Sequence, residues 1–263
     1  LGTLRRSIPG ILRQQRQMIM QHIHAIGFDL FDTLVTVKTL GFEEAIGRLI
    51  DSLQRAQLPV ISETFRPLYR QTARRFMALA EQEGKGTHNR CWVCAALQAV
   101  GYGVAPDDPR ITAAVEAYFS AFVDHATPLP GAAEMLAALH GRYRLGLLSN
   151  LTHAPAAQQI LDKLALRAYF DAILVSGELG YRKPHPKVFH ALLEQLQSSQ
   201  QQTVFVGDNW EADVKGAQQA GIQPIWLTYG QESQGPAVPA ETLSPDVLRV
   251  ADWRAFLTLF RAT

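Results

Sequence analysis

Cysteine is nearly absent from this chain: only Cys91 and Cys94 occur among 263 residues. Two thiols spaced C-x-x-C cannot complete a four-ligand zinc site, and a redox pair of that spacing usually follows a strand at a helix start. The surrounding "HNRCWVCAALQAV" reads instead as the body of a helix. Two reduced, partly buried thiols are therefore expected, which fits a reducing compartment. Also missing is any apolar run near the roughly 18 residues needed to cross a bilayer, and the N-terminus has no compact apolar segment followed by a cleavage site. A cytoplasmic protein with no membrane partner is the expectation.

An excess of charge of one sign is lacking too. The formal net charge is +1, and residues 1–17 hold Arg5, Arg6, Arg13 and Arg16 with no acid. Without that leader the rest has 21 basic against 24 acidic residues. A nucleic-acid-binding body normally concentrates basic charge on the folded domain, so no nucleic-acid partner is expected. Residues 1–21 read as a loose N-terminal extension whose Arg-rich part lies upstream of a start at Met18 or Met20, rather than as an anion-binding arm.

Five short runs rich in Val, Ile, Leu and Phe are present: "HIHAIGFDL" (22–30), "RLGLLSN" (144–150), "DAILVS" (171–176), "TVFVGDN" (203–209) and "QPIWLT" (223–228). Helical patterns separate the last four, at His153 to Leu166, Pro186 to Gln197 and Trp210 to Ala220, with three-to-four spacing clearest in "VFHALLEQL". Alternation of this kind predicts an α/β fold, a Rossmann-like three-layer core with a parallel sheet between helices. Ligands of such sheets bind at the carboxyl ends of the strands. Asp29, Ser149, Lys183 and Asp208 collect there.

The interval from Val35 to Pro130 breaks the rhythm. Helical patterns recur near 40–57, 62–83, 88–100 and 110–125, divided by "LPVIS", "EGKGT", "GYGVAPDDP" and "ATPLPG". A helical module inserted between the first two core strands is expected, with core residues at 22–34 and 128–263 and a helical cap at 35–127. Leaving and re-entering at the active-site edge, it is placed to close over the site as a lid. A surface loop at 230–246 and a short amphipathic helix at about 245–260 complete the chain. The oligomeric state, monomer or homodimer, stays open.

Four pieces stand in order: Asp29 with Thr33 in "GFDLFDTLV", Ser149 with Asn150 in "LLSN", Lys183 in "GELGYRKPHPKVF", and Asp208 with Asp213 in "VFVGDNWEAD". Together they resemble the haloacid dehalogenase-like hydrolase superfamily, in the branch with a helical cap inserted after the first motif. The resemblance runs from about Ala25 to Thr228. It implies a phosphohydrolase for a small phosphorylated metabolite that works through an aspartyl-phosphate on Asp29. It also implies magnesium held by Asp29, Asp208, Asp213 and the backbone carbonyl of residue 31.

The residues support those roles physically. A phosphate ester carries about two negative charges that must be neutralised before a carboxylate can approach. Magnesium on hard oxygen ligands does this, Lys183 adds positive charge, and Ser149 with neighbouring backbone N–H groups positions phosphoryl oxygens. Asp29 is then the nucleophile of a covalent route.

One residue departs from the family pattern. The position two after the nucleophile, usually an Asp that passes protons to the leaving oxygen and from water, is Phe31. Its carbonyl can still bind metal, so only the side-chain role is lost, one worth about 10²–10⁴ in rate. Asp32 points away from the face shared by residues 29 and 31 if the chain is extended there. Two outcomes stay open: preference for leaving groups that depart easily, or a proton from the cap. For the latter "GKGTHNR" supplies His88, which titrates near neutrality, and Arg90, which grips a carboxylate or phosphate; the plainer reading is a helix start with Thr87 as N-cap.

Members lacking that acid include some phosphatases; dehalogenases, which need no metal and do not keep the acid pair of the fourth motif; and phosphonatases, which need a cap lysine. Both acids are retained here, and the only lysines between Val35 and Pro130 are Lys38 and Lys85. A dehalogenase-type hydrolase and a catalytically weakened phosphate-binding protein are the alternatives.

Overall fold

The computed structural model of the chain describes residues 20–37, 40–230 and 247–260. The Arg-rich leader, Lys38 and nearly all of the expected loop at 230–246 lie outside them. In chain order the principal elements are β1 (Ala25–Phe28), β2 (Val35–Val37), α1 (Leu40–Arg55), α2 (Ser62–Glu83), α3 (Asn89–Ala99) and α4 (Pro109–His125). They continue with β3 (Ala126–Pro128), α5 (Ala132–Leu139), β4 (Arg144–Ser149), α6 (Ala154–Lys163), β5 (Ala172–Val175) and α7 (Pro186–Leu196). The last are β6 (Thr203–Gly207), β7 (Gln223–Leu227), β8 (Leu248–Val250) and α8 (Trp253–Thr258).

The main sheet runs β5-β4-β1-β6-β7-β8 with every pairing parallel. The order reverses at β1, which pairs β4 on one side and β6 on the other, so the crevice above β1 is the switch point where α/β sheets place ligands. Side chains alternate cleanly along the central strands. Ile26, Phe28, Leu145, Leu147, Val204 and Val206 enter one apolar cluster, while Ala25, Leu148 and Phe205 enter the other with Val188, Phe189, Leu192 and Leu196 of α7. Gly27 and Gly146 keep α7 close: a Cβ would lie 2.7 Å from Leu192 Cδ2 at the first and 2.6 Å from Leu192 Cδ1 at the second. On the opposite face Phe28 meets Trp253 and Phe256 of α8 edge-on at 5.9 and 6.2 Å.

Helices α1 to α4 all lie between β2 and β3, which pair antiparallel from Val35↔Pro128 to Val37↔Ala126 and form a two-stranded stem. The reading of that interval as wholly helical missed these two strands, which are only three residues each. α1 lies along α4, and Arg48 joins them through Ser120 and Asp124. α4 also reaches α6, where Lys163 Nζ donates to the carbonyls of Val123 and Asp124 at 2.7 and 2.6 Å.

Two other expectations are corrected. The segment 245–260 is not one amphipathic helix: Leu248 and Val250 are buried with Arg249 exposed between them, a period of two, and β8 adds to β7 as a sixth strand. α8 begins only after Asp252, whose Oδ1 accepts from Ala255 N. The helix expected at Trp210 to Ala220 is a π-helical segment over Trp210–Lys215, followed by one helical turn. No helix among the described residues is long and apolar enough to cross a membrane.

Candidate active site

β1 ends at Phe28, and Asp29 N still donates to Val206 O at 2.9 Å, so the next side chain is presented rigidly at the carboxyl edge of the sheet. The chain then turns tightly. Leu34 N and Val35 N both donate to Leu30 O, and Asp32 takes a positive φ of 56°. That turn buries Thr33, whose hydroxyl donates to Asp208 Oδ1 at 3.3 Å, and exposes Asp32, whose Oδ1 accepts from Thr36 at 3.2 Å. Phe31 is half-buried and packs on the apolar core.

Lys183 is a fully buried cation. Its Nζ donates to Asp29 Oδ1 at 2.5 Å and lies 2.7 Å from Asp213 Oδ1. Burial lowers its affinity for a proton, but Asp213 and Asp29 outweigh this and raise its pKa. Asn150 fixes where that lysine stands: its Oδ1 accepts from Lys183 N at 2.8 Å and its Nδ2 donates to Lys183 O at 2.9 Å. Both ends of the amide are thus engaged with main chain rather than offered to a substrate. Ser149 is buried at the end of β4, in register with Val175.

The fourth motif needs its π-helical turn. Asp213 N donates to Asn209 O, and Asp213 Oδ2 accepts from Asn209 N at 3.0 Å, so the carboxylate folds back beneath Gly207. A Cβ at Gly207 would overlap that carboxylate. Trp226 Nε1 holds Asp208 O at 2.9 Å from the neighbouring strand.

Asp29, Asp208 and Asp213 each offer a carboxylate oxygen within 4.8 Å of the others. Burial pushes Asp29 up to about 6 against the pull of Lys183, with Asp213 adding to the rise. Burial again, then Asp29, Asp213 and Asp32, push Asp208 up to about 8. One ammonium faces three carboxylates, and Asp213 Oδ1 makes no aligned hydrogen bond despite its short approach to Lys183. Such a donor set, hard oxygens short of positive charge, fits a divalent cation such as magnesium.

The residues after α2 approach this site. Gly86 N donates to Gly180 O at 3.0 Å, Arg182 N donates to Gly84 O at 3.1 Å, and Lys85 bridges Tyr181 antiparallel. The N-cap of α3 is His88, not Thr87: His88 Nδ1 accepts from Arg90 N at 3.2 Å, and Thr87 instead accepts from Trp92 Nε1. Burial, then Arg90, lowers the His88 pKa. An imidazole that accepts at Nδ1 and titrates low is a poor proton source at neutral pH. Lys85 is solvent-exposed and paired with Glu83 at 2.9 Å, the environment of a solvated charge. Cys91 and Cys94 are free thiols, Cys94 pushed up to about 11 chiefly by burial.

Residues 23–221 match the family model described as "haloacid dehalogenase-like hydrolase". The chain belongs to this family. It is 30% identical over 80% of its length to the glyceraldehyde 3-phosphate phosphatase of Pyrococcus abyssi (strain GE5 / Orsay), covering 83% of that protein. With the pyrimidine 5'-nucleotidase YjjG of Escherichia coli (strain K12) it shares 36% identity over 49% of its length, and that match spans only 58% of the relative. Its fold is that of the 2-haloacid dehalogenase from Pseudomonas syringae pv. Tomato DC3000, with a TM-score of 0.65 at 24% identity, covering 90% of this chain and 97% of that one. Membership of the haloacid dehalogenase-like family makes the chain a hydrolase.

His153 is the residue that sequence reasoning overlooked. It stands four positions after Ser149, is buried, and stacks on Phe119 of α4 at 4.9 Å with its edge toward His88 at 5.7 Å. A His directly before an Ala-Pro helix start was the available signal, and it reads in the sequence only as the first residue of a helical pattern.

Proposed function

We propose that the chain is a magnesium-dependent phosphohydrolase acting on a small phosphorylated metabolite. The observation that carries this reading is the cluster of Asp29, Asp213 and the half-buried Asp208, with Lys183 paired to the first two. Asp29, Asp208, Asp213 and the Phe31 carbonyl are the ligands we assign. Bound there, the cation supplies positive charge against the phosphate dianion.

Asp29 attacks phosphorus, the bond to the leaving oxygen breaks, and an aspartyl-phosphate forms; water then displaces phosphate and returns the carboxylate. Lys183 neutralises phosphoryl oxygens, Ser149 positions them, and Thr33 steadies Asp208. Asn150 acts by holding Lys183. With Phe31 beside the nucleophile and His88 neutral, the leaving oxygen takes its proton from solvent, which favours acyl, aryl and anomeric phosphates. Residues 35–127 serve as the cap that closes over the site, with Arg90 and His88 facing substrate.

Support comes from the phosphatase relative that covers most of the chain. The acid pair Asp208 and Asp213 favours phosphate over halide, because a neutral organic halide brings no dianion for a cation to offset. The test is phosphate release from an aryl or acyl phosphate with and without magnesium, run beside halide release from a 2-haloacid. Expected is magnesium-dependent phosphate release that Asp29→Asn abolishes. Chelator-resistant halide release supports the dehalogenase instead. Tight binding of a phosphate mimic with no more turnover than Asp29→Asn supports a binding protein.

A further inference from the structure

Arg90 is half-buried at the start of α3 with no carboxylate in ion-pair range among the described residues, and its Nε is buried without a hydrogen-bond partner. His153 is 4% exposed and its Nδ1 is likewise buried without a partner. A half-buried guanidinium and a buried imidazole nitrogen left unpaired are each unfavourable, and two such groups together mark a place where an acceptor is missing.

Their position gives that acceptor a source. His153 follows Ser149 and Asn150 on the loop after β4. Arg90 follows the segment Gly84–Gly86, which is bonded to Gly180 and Arg182 beside Lys183. The pair therefore lies where the loop after β4 meets the cap segment that is joined to Gly180 and Arg182. The neighbouring Arg182, whose Nε is likewise buried without a partner, faces Glu81 at 3.8 Å, whereas Arg90 has no carboxylate in range among the described residues.

We propose that Arg90, with His153 and His88 beside it, forms a second anion subsite that receives a carboxylate, so that the preferred substrates are small phosphorylated carboxylic acids. The guanidinium grips both carboxylate oxygens and His153, as its Nδ1–H tautomer, donates to one of them. Phe119 stacked on His153 holds the ring in place. The charge balance favours a carboxylate over a second phosphate. His88 accepts at Nδ1 and is neutral, and His153 is held neutral by burial, then by His88 and Arg90, at about 4, so the subsite carries a single positive charge.

The substrate's phosphate end rests on the phosphohydrolase reading; the subsite itself is tested by binding alone. Asp29→Asn protein with magnesium is titrated calorimetrically with phosphoglycolate and with hydroxyethyl phosphate, which differ by a carboxylate against a hydroxymethyl group. Phosphoglycerate and glycerol phosphate serve as a longer pair. The carboxylated member of at least one pair should bind about tenfold tighter or more, the range of one charge-assisted contact. That ratio should collapse in Asp29→Asn/Arg90→Gln, recover in part with Arg90→Lys, and fall severalfold with His153→Phe.

Equal binding within both pairs overturns the subsite, as does a preference that survives Arg90→Gln. Tighter binding of ethylene glycol bisphosphate than of either carboxylate overturns the choice of anion. Absence of phosphate release by the wild type, with the binding ratios intact, sinks the phosphohydrolase reading while supporting the subsite.

Discussion

Phe31 lies where a carboxyl group would be most useful to a phosphatase, and its ring packs on the apolar core. Asp32 does not replace it: with φ at 56° its carboxylate turns outward to Thr36, although it stays near enough to raise the Asp208 pKa. Phe31→Asp should therefore restore a proton donor and raise the rate on alkyl phosphates by about tenfold or more, with a smaller gain on aryl phosphates whose leaving groups need no acid. Equal gains on both, in matched kcat/KM measurements, would sink this account of the missing acid. His153 supports a second experiment at the same scale. An unfolded imidazole titrates near 6.5, whereas burial, then His88 and Arg90, hold this one at about 4. Between those values the unfolded chain binds the extra proton, so stability contributed by keeping the ring neutral is complete above about pH 6.5 and is lost as pH falls toward 4. His153→Phe should lose less stability than wild type between pH 7 and 5 in urea unfolding. Parallel losses would clear His153 as a source of acid sensitivity.

The fourth motif shows what an element adds to a correctly read set of residues. Asp208 and Asp213 are five apart in sequence, but a regular α-turn would not by itself return the second carboxylate to the sheet edge. The π-helical segment does, and it requires that nothing project from Gly207. Gly207→Ala should displace Asp213 and weaken apparent magnesium affinity by about tenfold or more, read both as phosphate release against magnesium and as loss of the thermal shift on adding the ion. An unchanged midpoint in both assays removes the π segment from the metal site. This geometry was hidden from the sequence because α and π turns draw on the same residues and apolar spacing. β8 was hidden for another reason: three residues with one exposed between two buried fit a strand or a helix turn equally well. The five longer runs were legible since each couples a buried stretch to a polar end, and the strand ends brought Asp29, Ser149 and Asp208 to one edge.

At the scale of the whole molecule the β/α alternation sufficed for the fold, and the break in it located the four inserted helices. Those helices meet the core through side chains at α4, where Lys163 and His153 approach it, and through main chain at Gly84–Gly86, a contact that leaves no side-chain pattern to read in the sequence. Gly84–Gly86 bonds to Gly180–Arg182, and a Cβ at Gly86 would overlap Ser176 O, so the seam closes this tightly only with glycine at that position. The two-stranded stem at Val35–Val37 and Ala126–Pro128 is the covalent connection. If the helical insert is a lid, the seam must break for substrate to enter and product to leave, while the stem holds. Lys85 and Tyr181 form an antiparallel pair across it, and such pairs have Cα atoms about 4.5–5.5 Å apart, within reach of a disulfide. Lys85→Cys/Tyr181→Cys, made in a Cys91→Ser/Cys94→Ser background, should turn over normally when reduced and lose about tenfold or more when oxidised, with dithiothreitol restoring the rate. Neither substituted side chain belongs to the acid cluster, so a reversible loss reports on opening rather than chemistry. Full activity with the disulfide formed would mean that the seam stays shut through the cycle and that substrate enters by another path.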